Sequence, residues 1–103
     1  GRIASQPETR HAGKTAITSF TLVTDRPKLV DGKTVKNEAG YTETIPEFHR
    51  ITAFNGLGTS VGKHKKKGDL VEVQGRLHYS KWTDREGVER YAVEIVSEEI
   101  LFL

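Results

Sequence analysis

The chain of 103 residues contains no cysteine, so neither a disulfide nor a thiolate metal site can form. No apolar run approaches the ~20 residues that a membrane-spanning helix needs, no secretory signal is visible, and we expect no membrane partner. An excess of one charge is also missing, because 16 basic residues face 14 acidic ones. A net charge of +2 does not by itself indicate a polyanionic partner. The length predicts a single domain over residues 1–103.

Motifs for catalysis and for metal binding are absent as well. No pair of histidines is spaced four residues apart on a credible helix, among His11, His49, His64 and His78. Residues 55–58 contain two glycines but lack the strand–turn–helix context and the acidic partner of a dinucleotide site. The serines form no nucleophile elbow. We therefore expect a protein that is not an enzyme and that has no metal and no cofactor.

Short β-branched and aromatic runs separated by glycine indicate an all-β protein. Residues 15–24, 47–54, 69–82 and 90–96 predict strands, with residues 1–4 as the end of another. Gly75 predicts a bend or bulge inside its strand. Residues 5–8 and 10–14 predict turns, and residues 84–89 predict a hairpin loop. Residues 25–46 predict either a long loop or a projecting hairpin that turns near Asp31 and Gly32.

Residues 57–67 predict a short helix, with Gly68 as the residue that follows its C-terminus. The lysines of residues 63–67 suit a solvated, well-capped helix end at least as well as contact with phosphates. One helix between the third and fourth strands of a five-stranded chain is the arrangement of the oligonucleotide-binding (OB) barrel. We therefore expect an all-β, five-stranded OB-fold barrel.

The strand at residues 47–54 has an unusual face. Because strand residues alternate, Phe48, Arg50, Thr52 and Phe54 share one face and His49 lies on the other. A guanidinium is costly to bury without a partner, whereas this face suits a wet groove that stacks flat rings and pairs with phosphates. The alternative, that both phenylalanines are core residues and Arg50 lies at an edge, stays open at this point.

Further aromatic residues and cations interleave along the later strands. Trp82 stands beside Lys81 next to a polar hairpin rather than in an apolar run, and Arg90 and Tyr91 follow on the returning strand. Stacking on an aromatic ring stabilises a base by roughly 1–3 kcal/mol whatever the base. The pattern predicts a binding site for single-stranded nucleic acid, comprising Phe48, Arg50, Phe54, Lys81, Trp82, Arg90 and Tyr91.

Over almost its whole length the sequence resembles the bacterial-type single-stranded DNA-binding proteins. The most specific motifs are Glu-Phe-His-Arg at 47–50, Gly-Arg-Leu at 75–77 and Lys-Trp-Thr-Asp at 81–84. The resemblance implies an OB fold, usually a homotetramer, although a dimer stays open. It implies largely sequence-independent binding of single-stranded DNA in replication, recombination and repair. It places stacking aromatics at Phe48, Phe54 and Trp82. It places phosphate-contacting cations at Lys67 and Lys81, and an interface histidine at His49.

The sequence also departs from the family pattern. Lys28 falls near the place of a further stacking aromatic, and Asn55 and Gly56 stand where a lysine often follows. The resemblance implies a first strand that begins before Gly1 and an acidic C-terminal tail that would follow Leu103. Replication and repair proteins are therefore expected as partners only if such a tail exists beyond Leu103.

Two other functions remain open from the residues alone. One is a related OB-fold accessory protein, primosomal or RNA-binding, because contact with a ribose 2′-hydroxyl cannot be identified from sequence. The other is an oligomerisation scaffold whose aromatic face packs on protein. We expect a cytoplasmic, nucleoid-associated location, with a phage, plasmid or organelle origin left open.

Overall fold

The protein is described by a computed structural model that covers all residues from 1 to 103. Its elements are, in order, β1 (Arg2–Ile3), β2 (Glu8–Ala12), β3 (Thr15–Pro27), β4 (Leu29–Val30), β5 (Lys33–Thr34), β6 (Thr44–Phe54), α1 (Asn55–His64), β7 (Val71–Thr83) and β8 (Glu89–Phe102). The main sheet has the order β1-β3-β6-β8-β7, and β2 also pairs with β3. All neighbours are antiparallel except β6 and β8.

This topology matches the predicted five-stranded arrangement. β1 and β2 both pair with β3 and together act as one interrupted first strand. β3, β6, β7 and β8 supply the other four strands, and α1 lies between the third and the fourth. The ladder is not continuous between β1 and β7, but backbone hydrogen bonds link residues 1–3 to residues 68–71 there. The prediction of an OB-type fold is therefore confirmed.

A small core lies inside the curled sheet. On β3 the even-numbered residues from Ala16 to Leu22 are buried and the odd-numbered ones between them are half-buried, as expected for a strand that covers a core with one face. The main core cluster comprises Ile3, Phe20, Leu22, Ile51, Val61 and Val71. Beyond Gly75, the β7 side chains are exposed. We call the hairpin formed by residues 76–96 of β7 and β8 the arm.

Two glycines permit close approaches that any side chain would obstruct. A Cβ atom at Gly75 would lie 2.2 Å from the Val96 carbonyl oxygen, at the bulge where the β7–β8 register shifts. A Cβ at Gly58 would lie 2.5 Å from the Ala53 carbonyl oxygen, so this glycine lets α1 pack directly on the sheet. The predicted irregularity at Gly75 is confirmed, and Gly58 belongs to the helix for a packing reason despite its poor helix propensity.

Other boundaries differ from the predictions. Residues 8–12 form strand β2, not part of a turn, and only Gly13 and Lys14 turn before β3. The helix begins at Asn55 and ends at His64, with Lys65 as its C-cap, so the prediction of Gly68 as the residue after the helix is wrong. Residues 29–34 form the projecting hairpin, and its turn at Asp31 and Gly32 is as predicted. No helix in the fold is long and apolar enough to cross a membrane.

Candidate nucleic-acid interface

The outer face of β6 carries the predicted aromatic and basic residues. Phe48, Arg50, Thr52 and Phe54 alternate with the inward-facing residues of the same strand, of which Ile51 is fully buried. Phe48 is 66% exposed and Phe54 is 41% exposed. The alternative in which both rings are core residues is therefore wrong.

The arm brings Trp82 to the same face. Within the arm, Trp82 pairs with Arg90 and Ser80 pairs with Ala92, and the parallel β6–β8 pairing joins this hairpin to the central strand. Trp82 is 49% exposed. A groove of about 530 Å³ separates the arm from β2 and β3, and it is lined by Glu8, Thr9, Arg10, Ser19, Arg50, Thr52, Ser80, Trp82, Ala92 and Glu94.

A second depression of about 490 Å³ continues from this groove along β6 to Phe48. The two share three lining residues, Glu8, Ser19 and Arg50. Together they form a track that is lined by Phe48 in one depression, by Trp82 in the other and by Arg50 in both. A track with rings at intervals and a cation between them can stack bases and pair with phosphates.

Both signs of charge line the track. Neither Arg10 nor Arg50 takes part in any of the four ion pairs of the chain, so each keeps its guanidinium available for an anion. Glu94 is half-buried on the groove wall, where the Thr52 hydroxyl donates a hydrogen bond to its Oε2 at 2.7 Å. The site is thus not a uniformly basic patch.

The tip of the arm is ordered by Asp84. Its Oδ1 accepts hydrogen bonds from the backbone N–H groups of Glu86 and Val88, each at 2.9 Å, and its Oδ2 accepts one from Arg90 Nε at 2.9 Å. The Val88 N–H, followed by the Arg90 guanidinium, holds the pKa of Asp84 below its usual range. Arg90 therefore shares the Trp82 face but is already engaged by a carboxylate.

Lys81 and Tyr91 lie on the opposite face of the arm, as strand alternation requires. They form a cross-strand pair, with Lys81 Nζ 5.7 Å from the centre of the Tyr91 ring. Both side chains contact Glu89, at 3.2 Å for Lys81 Nζ and 3.1 Å for the Tyr91 hydroxyl. The structure does not bring them together with Phe48 and Trp82.

Two further predicted residues lie elsewhere. Lys67 is in the connection between α1 and β7, where its backbone N–H donates to Gln6 Oε1 at 3.5 Å, and its side chain does not line the track. His49 is half-buried on the inward side of β6, and its Nε2 lies 2.8 Å from the Thr24 hydroxyl. Its predicted role at a subunit interface stays a prediction.

Sequence reasoning missed Arg10 and Glu94 as residues of the groove. The sequence predicts a turn at Arg10 because Gly13 follows it, and residues 8–12 show no buried face that would have indicated a strand, since all five are exposed. Strand alternation places Glu94 on the same face of β8 as Arg90 and Ala92, but only the parallel contact between β6 and β8 brings it beside Thr52.

The comparisons with known proteins agree with this architecture. A profile of the single-strand binding protein family matches residues 1–103. A single-stranded DNA-binding protein of Xanthomonas campestris pv. campestris is 34% identical over 105 residues, which covers the whole chain and 56% of that relative. The chain thus spans about half the length of that relative.

Two solved structures share the fold over the whole chain. One is a deletion mutant of the single-stranded DNA binding protein from Thermus aquaticus, with a TM-score of 0.74, 25% identity and 47% of that chain covered. The other is a Plasmodium falciparum SSB in complex with ssDNA, with a TM-score of 0.80, 23% identity and 89% of that chain covered. The second likeness concerns the fold alone.

Proposed function

Because the chain belongs to the single-strand binding protein family, we propose that it binds and protects single-stranded DNA, largely independently of sequence and without catalysis. The observation that carries the proposal is the continuous track from Phe48 past Arg50 to Trp82. The Xanthomonas relative is a single-stranded DNA-binding protein, which agrees with this ligand.

The mechanism combines two contributions. Exposed rings at Phe48, Phe54 and Trp82 stack on bases, which works for any base because each has a π-face. Arg50 and Arg10 pair with phosphates, since no carboxylate of the chain occupies either guanidinium. Lys67, Lys81 and Tyr91 contact DNA only where a longer strand leaves the track and passes around the barrel or the arm.

We propose further that the chain assembles into a homotetramer. Leu77, Tyr79 and Val93 form an apolar stripe on the face of the arm opposite Trp82, and each is at least half exposed. His49 alternates with Phe48 on β6 and is half-buried, and it borders the end of the track that Phe48 lines, where a second subunit would meet the barrel. A dimer is the alternative that the same surfaces allow.

The biological setting follows from the ligand. A protein of this kind would act where single strands are exposed, in replication, recombination and repair, on nucleoid DNA in the cytoplasm. Contacts with replication and repair proteins are proposed only for a chain that carries an acidic tail beyond Leu103.

Titration of the sole tryptophan tests the ligand. Trp82 fluorescence should be strongly quenched by poly(dT), because the ring stacks on bases. Quenching by poly(U) with equal or higher affinity would favour the RNA-binding accessory protein instead. If neither polymer changes the fluorescence, and anisotropy of labelled oligonucleotides also shows no binding, the oligomerisation scaffold would be the remaining function.

A salt series then separates stacking from charge. For single strands, log K falls with log [salt] by about 0.7 per phosphate neutralised. A short oligo(dT) that contacts only Arg50 and Arg10 should show a shallow slope, whereas a long strand that passes over several subunits should show a steeper one. Complete release at moderate salt, equal for both lengths, would mean that the rings do not stack.

A further inference from the structure

Glu94 is an unexpected residue in a groove for a polyanion. Its carboxylate shares the groove with Trp82 and is half-buried. It belongs to none of the four ion pairs of the chain. Its one hydrogen bond is with Thr52, which is itself buried, so the carboxylate has a fixed position on the groove wall.

The chemistry of this group restricts what can approach it. An ionised carboxylate only accepts hydrogen bonds, and a single bond from Thr52 leaves acceptor sites on both oxygens. A phosphate at this point would be repelled, because like charges a few ångströms apart at a protein surface interact unfavourably. A base edge with an amino group would instead be a donor to Glu94.

We propose that Glu94 is a specificity-determining residue that favours bases with an exocyclic amino group at this point of the groove. Cytosine, adenine and guanine carry such a group, whereas thymine and uracil carry none, and their single imino N–H lies between two carbonyl oxygens that the carboxylate repels. Thr52 acts as its positioning residue. The inference rests on the proposed function and refines it, since stacking remains tolerant of sequence elsewhere along the track.

The test compares oligo(dC) and oligo(dU) of equal length, two pyrimidine strands that lack the thymine methyl group. The quantity measured is the ratio of their affinities, in the wild-type protein and in Glu94→Gln. The amide keeps an acceptor for Thr52 and offers both a donor and an acceptor to a base. We expect the ratio of dC to dU affinity to fall about tenfold in the variant, the size of one good base contact.

Two further variants make the result decisive. Glu99→Gln removes the same charge at an exposed position elsewhere on β8. It should leave the ratio of dC to dU affinity unchanged, because the preference depends on the position of the Glu94 carboxylate and not on net charge. Thr52→Val keeps the buried volume but releases the carboxylate, and it should reduce the ratio in the same direction as Glu94→Gln. If Glu94→Gln fails to fold, an unchanged ratio in a folded Thr52→Val protein would overturn the role of Glu94.

The outcomes distinguish this inference from the function on which it rests. An unchanged ratio in a folded Glu94→Gln protein, or an equal fall in Glu99→Gln, would overturn the role of Glu94 while leaving DNA binding intact. Failure of the wild-type protein to bind either oligonucleotide would overturn the proposed function itself.

Discussion

Replacement of Trp82 by alanine should weaken binding of short oligo(dT) while the barrel remains folded. Loss of one stacked base costs roughly 1–3 kcal/mol, which corresponds to a fall in affinity of about 5- to 150-fold at 25 °C. The measurement is anisotropy of a labelled oligonucleotide, because the variant has lost its only tryptophan.

The effect on stability is worked from the burial of the ring. A fully buried aromatic side chain covers up to about 250 Å², and Trp82 is 49% exposed. At about 25 cal/mol per Å², the buried half is worth at most ~3 kcal/mol. Trp82 belongs to the arm and not to the core cluster, so this cost falls on the arm.

Two variants separate binding from stability. Trp82→Phe keeps a π-face and should lose less affinity than the alanine variant. Val88→Ala truncates an exposed side chain at the tip of the same arm, away from both the track and the apolar stripe, and should bind as the wild type does. Normal binding by a folded Trp82→Ala protein would refute stacking at this residue. If that protein unfolds, a loss of affinity in Val88→Ala as large as the loss in Trp82→Phe would refute it.

Four other changes have defined outcomes. Gly75→Ala should lower the free energy of unfolding by about 1–3 kcal/mol, because its Cβ would meet a carbonyl oxygen 2.2 Å away. Gly56→Ala, a helix position with open space, should not destabilise the protein in the same urea titration. The pKa of Asp84 is lowered in the folded state, so its ionisation stabilises the protein above its unfolded pKa of about 4 and this contribution is lost as pH falls through the folded pKa. The difference in Tm between the wild type and the Asp84→Asn variant should therefore shrink in acid. A difference that stays constant with pH would count against a stabilising role of the ionised Asp84 carboxylate. Phe48→Ala should weaken oligo(dT) binding with little change in the circular-dichroism melt, since the ring is mostly exposed. His49→Glu should reduce the mass measured by light scattering, whereas an unaltered mass at low concentration would remove His49 from the interface.

The sequence predicts those parts of the fold in which a buried face leaves a periodic pattern. The alternation on β3 and the phenylalanines of β6 are such cases, and so is the glycine that marks the bulge at Gly75. β2 leaves no such pattern because it is held by pairing with β3 while all its side chains remain exposed. A strand defined by backbone pairing alone cannot be recognised from hydrophobic periodicity.

In the candidate site, too, some features follow from the sequence pattern and others depend on how distant strands pair. Alternation correctly separates Trp82 from Lys81 and Arg90 from Tyr91, but it cannot say which face of the arm borders the groove. That choice depends on the parallel contact between β6 and β8, which joins residues more than 40 positions apart. The meeting of Thr52 with Glu94 depends on the same contact.

The burial pattern supports placing the proposed DNA binding and the proposed assembly on the two faces of the arm. Beyond Gly75 the β7 side chains are exposed on both faces, so the arm beyond Ile95 and Val96 is held by backbone pairing and by the Asp84 turn rather than by the core. A two-stranded hairpin is only marginally stable by itself in water. Its two faces carry different side chains. Trp82 and Arg90 lie on one face, and the apolar stripe that includes Leu77 lies on the other. DNA on the first face and a second subunit on the other would each bury surface that the isolated chain leaves in water. Each would therefore stabilise the arm in the geometry that the other requires, which couples the two events without any change in the barrel.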